Sequence, residues 1–367
     1  MATEPTELER RLMERIRRDG PLTFYEFMQA ALYDPELGYY NTERLKIGPA
    51  GDYYTSSNVH PAFGALLARA FAELWQQVSD QPDLTIVELG AGTGQLAHDI
   101  LTAIREERPE IFEQLSYVIV EASPAMRRRQ REMLAAFDDL VVWRDLKELE
   151  WESESTPLDA ISFSNELFDA MPVHRVRSEH GQLEEAYVAV ERERLALIWD
   201  EPSTDALAGY LNDLEINLTN GQVAEINLDA VALLGRLSKL LSRGFLVTID
   251  YGDVAAHLYG PDRRKGTLRS FYRHSLTGSP LERPGEQDIT ASVNFTALIE
   301  YGKDFGFERV SYERQTAFLM RMGLVEKIAD RMQEDTVDDL QERLALKNLF
   351  VPGGVSDNFR VLIQRKL

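Results

Sequence analysis

The sequence predicts an α/β fold built on a doubly wound, mostly parallel sheet, and three observations predict it. From residue 84 onward, short apolar strands alternate with amphipathic helices. The first of those strands runs directly into a glycine turn and a helix, "TIVELGAGTGQLAHDIL" from Thr85 to Leu101. The 367 residues are 44% hydrophobic and 28% charged, which is ample material for a large core.

Residues 1–80 read as an N-terminal helical region with a lid loop. Leu8, Leu12 and Ile16 mark one helical face, and "DGP" at Asp19 to Pro21 ends that helix. Thr23 with Glu26 forms a capping box that opens "FYEFMQAALYD". A loop dense in Gly, Tyr, Ser and Thr follows from Ile47 to Gly64, then the apolar helix "ALLARAFAELWQQV".

Residues 81–367 read as one catalytic domain with insertions. Its strands are "LTIVEL", "SYVIVEAS", "LVVWRDL", "LDAISFSNE" and "FLVTIDYG", followed by "ERVSYERQTAFL" and the terminal "FRVLIQRKL". The helix "LDAVALLGRLSKLLSRG" is expected to close on Gly244. Three segments break the alternation: a β-hairpin at about 178–228, an irregular loop at 253–294 and a polar helical insert at 323–349.

Composition narrows the function. There are no cysteines, which excludes disulfides, thiolate metal sites and a cysteine nucleophile. Six histidines without an H-x-x-x-H pair argue against a metal centre. A net charge of −21 repels nucleic acid and favours a basic protein partner. No run approaches the roughly 20 apolar residues of a membrane helix, so no membrane insertion is expected. The charged N-terminus does not read as a secretory signal, and the expected location is cytoplasmic. Oligomeric state is not legible.

The glycine turn poses a choice among ligands. "GAGTG" lacks the Lys-[Ser/Thr] of a phosphate-binding P-loop. It also lacks the third spaced glycine of the dinucleotide fingerprint, since Gln95 and Leu96 stand there. S-adenosyl-L-methionine (SAM) has no phosphate; it needs close backbone and a carboxylate for its ammonium. Glu88, two residues before Gly90, supplies that carboxylate, and Gly90, Ala91, Gly92 and Gly94 supply the backbone. Glu121 ends the second strand, placed to accept hydrogen bonds from ribose hydroxyls. Asp145, with Leu146 after it, closes the third strand beside the expected adenine; a surface Asp opening the next helix is the alternative.

Together "GDYYTSSNVHPAFG", "VELGAGTG", "YVIVEASP", "SNELFDAMPV", "VTIDYG", "GTLRSFYRH" and "PGEQDITASVNF" resemble the MidA-like SAM-dependent methyltransferases. That family includes the mitochondrial complex I assembly factor that methylates an arginine of a complex I subunit. The likeness runs from about residue 20 to the C-terminus. It implies a class I methyltransferase fold, Rossmann-like with a seven-stranded mostly parallel sheet, SAM as donor and a protein arginine as acceptor.

Methyl transfer to a guanidinium needs carboxylates that hold the cation, orient one nitrogen and accept a proton. Asn165, Glu166 and Asp169 of "SNELFDAMP" are the candidates. A helix starting at Glu166 would put Glu166 and Asp169 on one pocket; helix capping by Asp169 is the alternative. Asp52, Tyr53, Tyr54 and Thr55 are expected to form a lid, with a tyrosine face against the sulfonium. Arg273, His274, Glu286, Asp288 and Thr290 lie in a segment too polar for core, and their roles stay open. The competing functions are a nicotinamide oxidoreductase, a non-catalytic assembly chaperone and a small-molecule methyltransferase.

Overall fold

A computed structural model describes residues 4–42, 60–79, 83–272, 275–331 and 358–367. Its central sheet contains seven principal strands: β1 Thr85–Leu89, β2 Ser116–Val120, β3 Val141–Arg144, β4 Leu158–Asn165, β5 Leu241–Asp253, β6 Glu308–Arg314 and β7 Phe359–Lys366. Their spatial order is β6-β7-β5-β4-β1-β2-β3. The five strands from β3 to β5 run parallel, and β7 is antiparallel to both neighbours. A two-residue strand, Val293–Asn294, adds an eighth member against the end of β5. The predicted α/β class and its Rossmann-like, mostly parallel sheet are therefore present.

Apolar residues alternate between two cores, because a parallel sheet is covered on both faces. Ile86, Ile161, Phe163 and Val247 face one core, built with helix Ala62–Trp75 and helix Gln95–Glu107. Val87, Leu89, Ala160 and Leu246 face the other, under helices Leu228–Leu240 and Phe295–Asp304. Helix Ala62–Trp75 is buried on nearly every side and belongs to the main sheet's own packing.

The first two helices have a different partner. Leu8, Leu12 and Ile16 are buried as their spacing predicts, and Gly20 terminates that helix. The Thr23–Glu26 capping box is formed, each side chain meeting the other residue's amide. Both helices pack on a second, five-stranded antiparallel sheet made of Leu22–Thr23, His174–Glu179, Gln182–Glu191, Arg194–Asp200 and Val223–Ile226. The expected hairpin is one part of this larger sheet.

Two further expectations change. Gly244 does not close a helix: the helix ends at Leu240, and Gly244 lies inside β5 with φ 134°. A Cβ there would sit 1.9 Å from the carbonyl oxygen of Ala160 on β4, so the glycine permits strand pairing after a register shift. The 253–294 segment is not wholly irregular, because Arg269–Tyr272, Ser275–Leu276 and Asp288–Thr290 form a small sheet. Of the 323–349 insert, Gly323 and helix Leu324–Arg331 are described, and residues 332–349 lie outside the described residues. Among the described residues, no helix is long and apolar enough to cross a membrane.

Candidate active site

A cavity of about 570 Å³ opens at the carboxyl ends of β1, β2 and β4. Sequential strands diverge to opposite sides here, β2 beside one edge of β1 and β4 beside the other, the place where open α/β sheets bind ligands. The volume falls in the ordinary range for small-molecule sites.

The turn after β1 forms one wall. Gly90, Gly92 and Gly94 all have positive φ, at 69°, 53° and 85°, a conformation that side-chain-bearing residues seldom take. Gly90, Ala91 and Gly92 line the cavity, whereas Gly94 caps helix Gln95–Glu107 without lining it. A Cβ on Gly90 would stand 2.9 Å from Leu167 Cδ1, another lining residue, so the turn is closed down on the β4 side.

Glu88 reaches the same cavity from the end of β1 and is only 2% exposed. Its Oε2 accepts a 2.8 Å hydrogen bond from the Tyr117 hydroxyl, and no basic side chain pairs with it among the described residues. Burial pushes its carboxyl up to about 8; Glu121's charge adds to the rise and the Tyr117 bond opposes it. A buried carboxylate without a counter-ion is costly unless something cationic arrives. An ammonium group from a ligand supplies what the fold withholds.

Glu121 also lines the cavity, and burial raises its carboxyl above the ordinary range. Oε1 accepts from the Ser123 amide at 2.8 Å, and Oε2 from Gln130 Nε2 at 3.0 Å. Gln130, wholly buried, also donates to the Gly92 carbonyl at 2.9 Å and accepts from Trp143 Nε1 at 3.1 Å. Nothing in its polar helical sequence marks it in advance.

Asp145 and Leu146 are not lining residues. Asp145 is the N-cap of helix Leu146–Ser153 and forms a reciprocal capping box with Glu148, at 2.8 and 2.7 Å. Asp52, Tyr53, Tyr54 and Thr55 lie outside the described residues, as do Arg273 and His274. The wall facing the sheet comes instead from the N-terminal region, through Gln29, Tyr33, Pro35, Tyr40 and Asn41. The Tyr33 and Tyr40 rings stack at 5.4 Å. Their hydroxyls donate 3.0 Å bonds to the Ala170 carbonyl and to Asp288 Oδ1, respectively. Asp288 therefore anchors this wall. An amphipathic helix and a following turn give no sign of such a role in sequence.

Asn165 and Glu166 line the cavity at the end of β4, with the Asn165 side-chain amide 3.2 Å from Glu166 Oε1. The helix expected to start at Glu166 does not form. Glu166 adopts φ 53°, and its N–H extends the sheet by bonding the Ile249 carbonyl. The amides that would have begun a helix turn toward the Asp250 carboxylate instead. Asp169 therefore does not face the cavity beside Glu166. It is 3% exposed behind the wall, where burial and the neighbouring charge of Asp250 raise its carboxyl far above the ordinary range.

Residues 66–312 match the protein-family model for S-adenosyl-L-methionine-dependent methyltransferases. The chain belongs to that family. SAM is the cofactor, and the residues present fit it: the unpaired Glu88 suits the ammonium, the glycine turn admits the methionine end, and Glu121 suits the ribose. Among relatives of this methyltransferase, "Protein arginine methyltransferase NDUFAF7, mitochondrial" of Mus musculus is 28% identical over 88% of this chain and 76% of its own length. The Homo sapiens protein of that name is 26% identical over 90% and 77%. A crystal structure of a Burkholderia thailandensis superfamily member bound to S-adenosyl-homocysteine has a TM-score of 0.86 at 28% identity. That match covers 100% of this chain and 95% of the other. The cytoplasmic location expected from the sequence is overturned by the Mus musculus, Rattus norvegicus and Homo sapiens relatives, which are named as mitochondrial proteins.

Proposed function

We propose that this methyltransferase modifies an arginine side chain of a protein acceptor, and that a subunit of respiratory complex I is the first acceptor to test. The observation that carries the reading is Glu166, held in a left-handed turn on the wall of the same cavity as Glu88 and the glycine turn. Two curated relatives named as protein arginine methyltransferases support the acceptor class.

When bound, SAM would supply an electrophilic methyl on a sulfonium, its S–C bond breaking so that S-adenosyl-homocysteine leaves. The chain's residues supply position and charge. Glu166 holds the guanidinium through a charge-assisted hydrogen bond and takes the N–H proton as the new C–N bond forms. Asn165 Oδ1 is buried and lacks a hydrogen-bond partner among the described residues, so it is available to orient a guanidinium N–H. Asp169 serves from behind the wall, through the turn it shares with Glu166, and does not touch the acceptor. The stacked Tyr33 and Tyr40 close the cavity from the other side and limit water at the reacting nitrogen.

The test is Glu166→Gln with methyl-labelled SAM and an extract of cells lacking the protein, products being resolved by mass. Transfer to an arginine-containing protein should be abolished while SAM affinity stays within about twofold of wild type. Label on a small molecule, or lost SAM binding with unchanged turnover per bound cofactor, would refute the reading.

A further inference from the structure

Asp250 is fully buried at the end of β5, one residue beyond the pairing of Ile249 with Asn165. Its Oδ2 accepts three successive backbone amides, from Leu167 at 3.1 Å, Phe168 at 2.9 Å and Asp169 at 3.4 Å. Its Oδ1 accepts the amide of Tyr251 at 2.8 Å. Every one of these donors is backbone, and three of them belong to the turn that carries Glu166 toward the cavity.

That turn needs holding. A left-handed backbone strains a residue that carries a Cβ, and Glu166 adopts it with φ 53°. Immediately after it, the chain must turn three amides inward with no helix to satisfy them. A single carboxylate oxygen at their focus does so, much as a backbone nest gathers around an anion. Fixing those three amides fixes the peptide planes on the C-terminal side of Glu166. The Ile249 carbonyl, on the residue just before Asp250, fixes its N-terminal side. Both restraints come from one strand, so β5 fixes the backbone on either side of Glu166.

A carboxylate in a fully buried place is an expensive way to cap a turn. An asparagine of equal size offers only one acceptor oxygen, and its amide group would face N–H donors. We infer that Asp250 is a positioning residue for methyl transfer, holding the Asn165–Asp169 turn so that Glu166 and Asn165 point at the acceptor nitrogen. The inference rests on the reading that Glu166 meets the acceptor.

The experiment compares Asp250→Asn, Asp250→Glu and Glu166→Gln in the full chain. Calorimetry with S-adenosyl-homocysteine counts competent cofactor sites, and labelled transfer into the same cell extract is expressed per such site. In D250N, transfer at saturating SAM should fall by about ten- to a hundredfold, with S-adenosyl-homocysteine affinity within about twofold of wild type. D250E keeps the charge but advances the carboxylate by one methylene; it should recover part of the rate and gives the same comparison if D250N does not fold. A purely structural role would lower the number of binding sites and leave the rate per site unchanged. That result, with E166Q inactive, overturns the inference and leaves the proposed function standing. Full transfer by E166Q would instead overturn the site reading itself.

Discussion

The side-chain amide of Gln130 lies between the Gly92 carbonyl, 2.9 Å away, and Glu121 Oε2, 3.0 Å away. One nitrogen thereby ties the turn after β1 to the acid after β2, the two elements that must agree if both ends of the cofactor are to be held. Gln130→Leu keeps the volume and removes the donor and the acceptor. Each buried polar group left unpaired costs about 1–3 kcal/mol. Affinity for S-adenosyl-homocysteine should fall about tenfold and the urea midpoint should drop; unchanged calorimetry would show that the tie is idle.

We propose that Glu88 receives the ammonium of the cofactor, which makes binding depend on pH in a defined direction. Its carboxyl is raised to about 8 by burial, so it is mostly protonated at neutral pH without a ligand. An arriving ammonium favours the carboxylate, so binding expels a proton. SAM affinity should rise from about pH 6 toward pH 8 and fall above it, where the ligand's own α-ammonium loses its proton. The free protein follows the opposite sign. The raised carboxyl contributes stability that is fully present below about pH 4.3 and is lost as pH climbs through about 8. Calorimetry near pH 7 in buffers of differing ionisation heat should detect the released proton, and Glu88→Gln should remove it.

Gly90→Ala tests the turn itself. The left-handed conformation costs an alanine about 1–2 kcal/mol, and the new methyl would press on Leu167 Cδ1. A melting temperature lower by a few degrees, with about tenfold weaker S-adenosyl-homocysteine binding, is the expected pair of readouts.

Tyr40→Phe removes the hydroxyl that reaches Asp288 but keeps the ring against the cavity. A hydrogen bond to a carboxylate is worth about 1.5–3 kcal/mol. Hydrogen exchange over residues 24–42 should quicken, while cofactor affinity should change less than in Tyr40→Ala. Equal losses in the two variants would mean that the ring contributes nothing.

What was legible in the sequence was what is local. The spacing of Glu88 and the glycines lies within seven residues, and its conformation follows from a strand meeting a helix. Glu121 was legible for the same reason, at a strand's end. Gln130 was not, because its partners come from elsewhere in the chain and it stands among four arginines, Arg127 to Arg129 and Arg131, in a polar helix. The turn at Glu166 was misjudged because Asp250, a strand away, competes for the amides that a helix would have used. Gly244 misled in the same manner: a glycine after a helix usually ends it, and here it admits a neighbouring strand's carbonyl. Tyr33 and Tyr40 build an aromatic wall from a segment whose pattern advertises only a buried helix face, while Tyr53 and Tyr54 lie outside the described residues.

Leu22 and Thr23 pair with Val188 and Tyr187, so the stretch that bears Tyr33 and Tyr40 docks on strands made long after it. A growing chain emerging from the ribosome exposes that stretch first and must leave it waiting while the early parallel strands assemble. Such distant pairings form slowly because a long loop has to close before they are rewarded. The wall that Tyr33 and Tyr40 lend the cavity is therefore complete only once Leu22 and Thr23 have met Val188 and Tyr187.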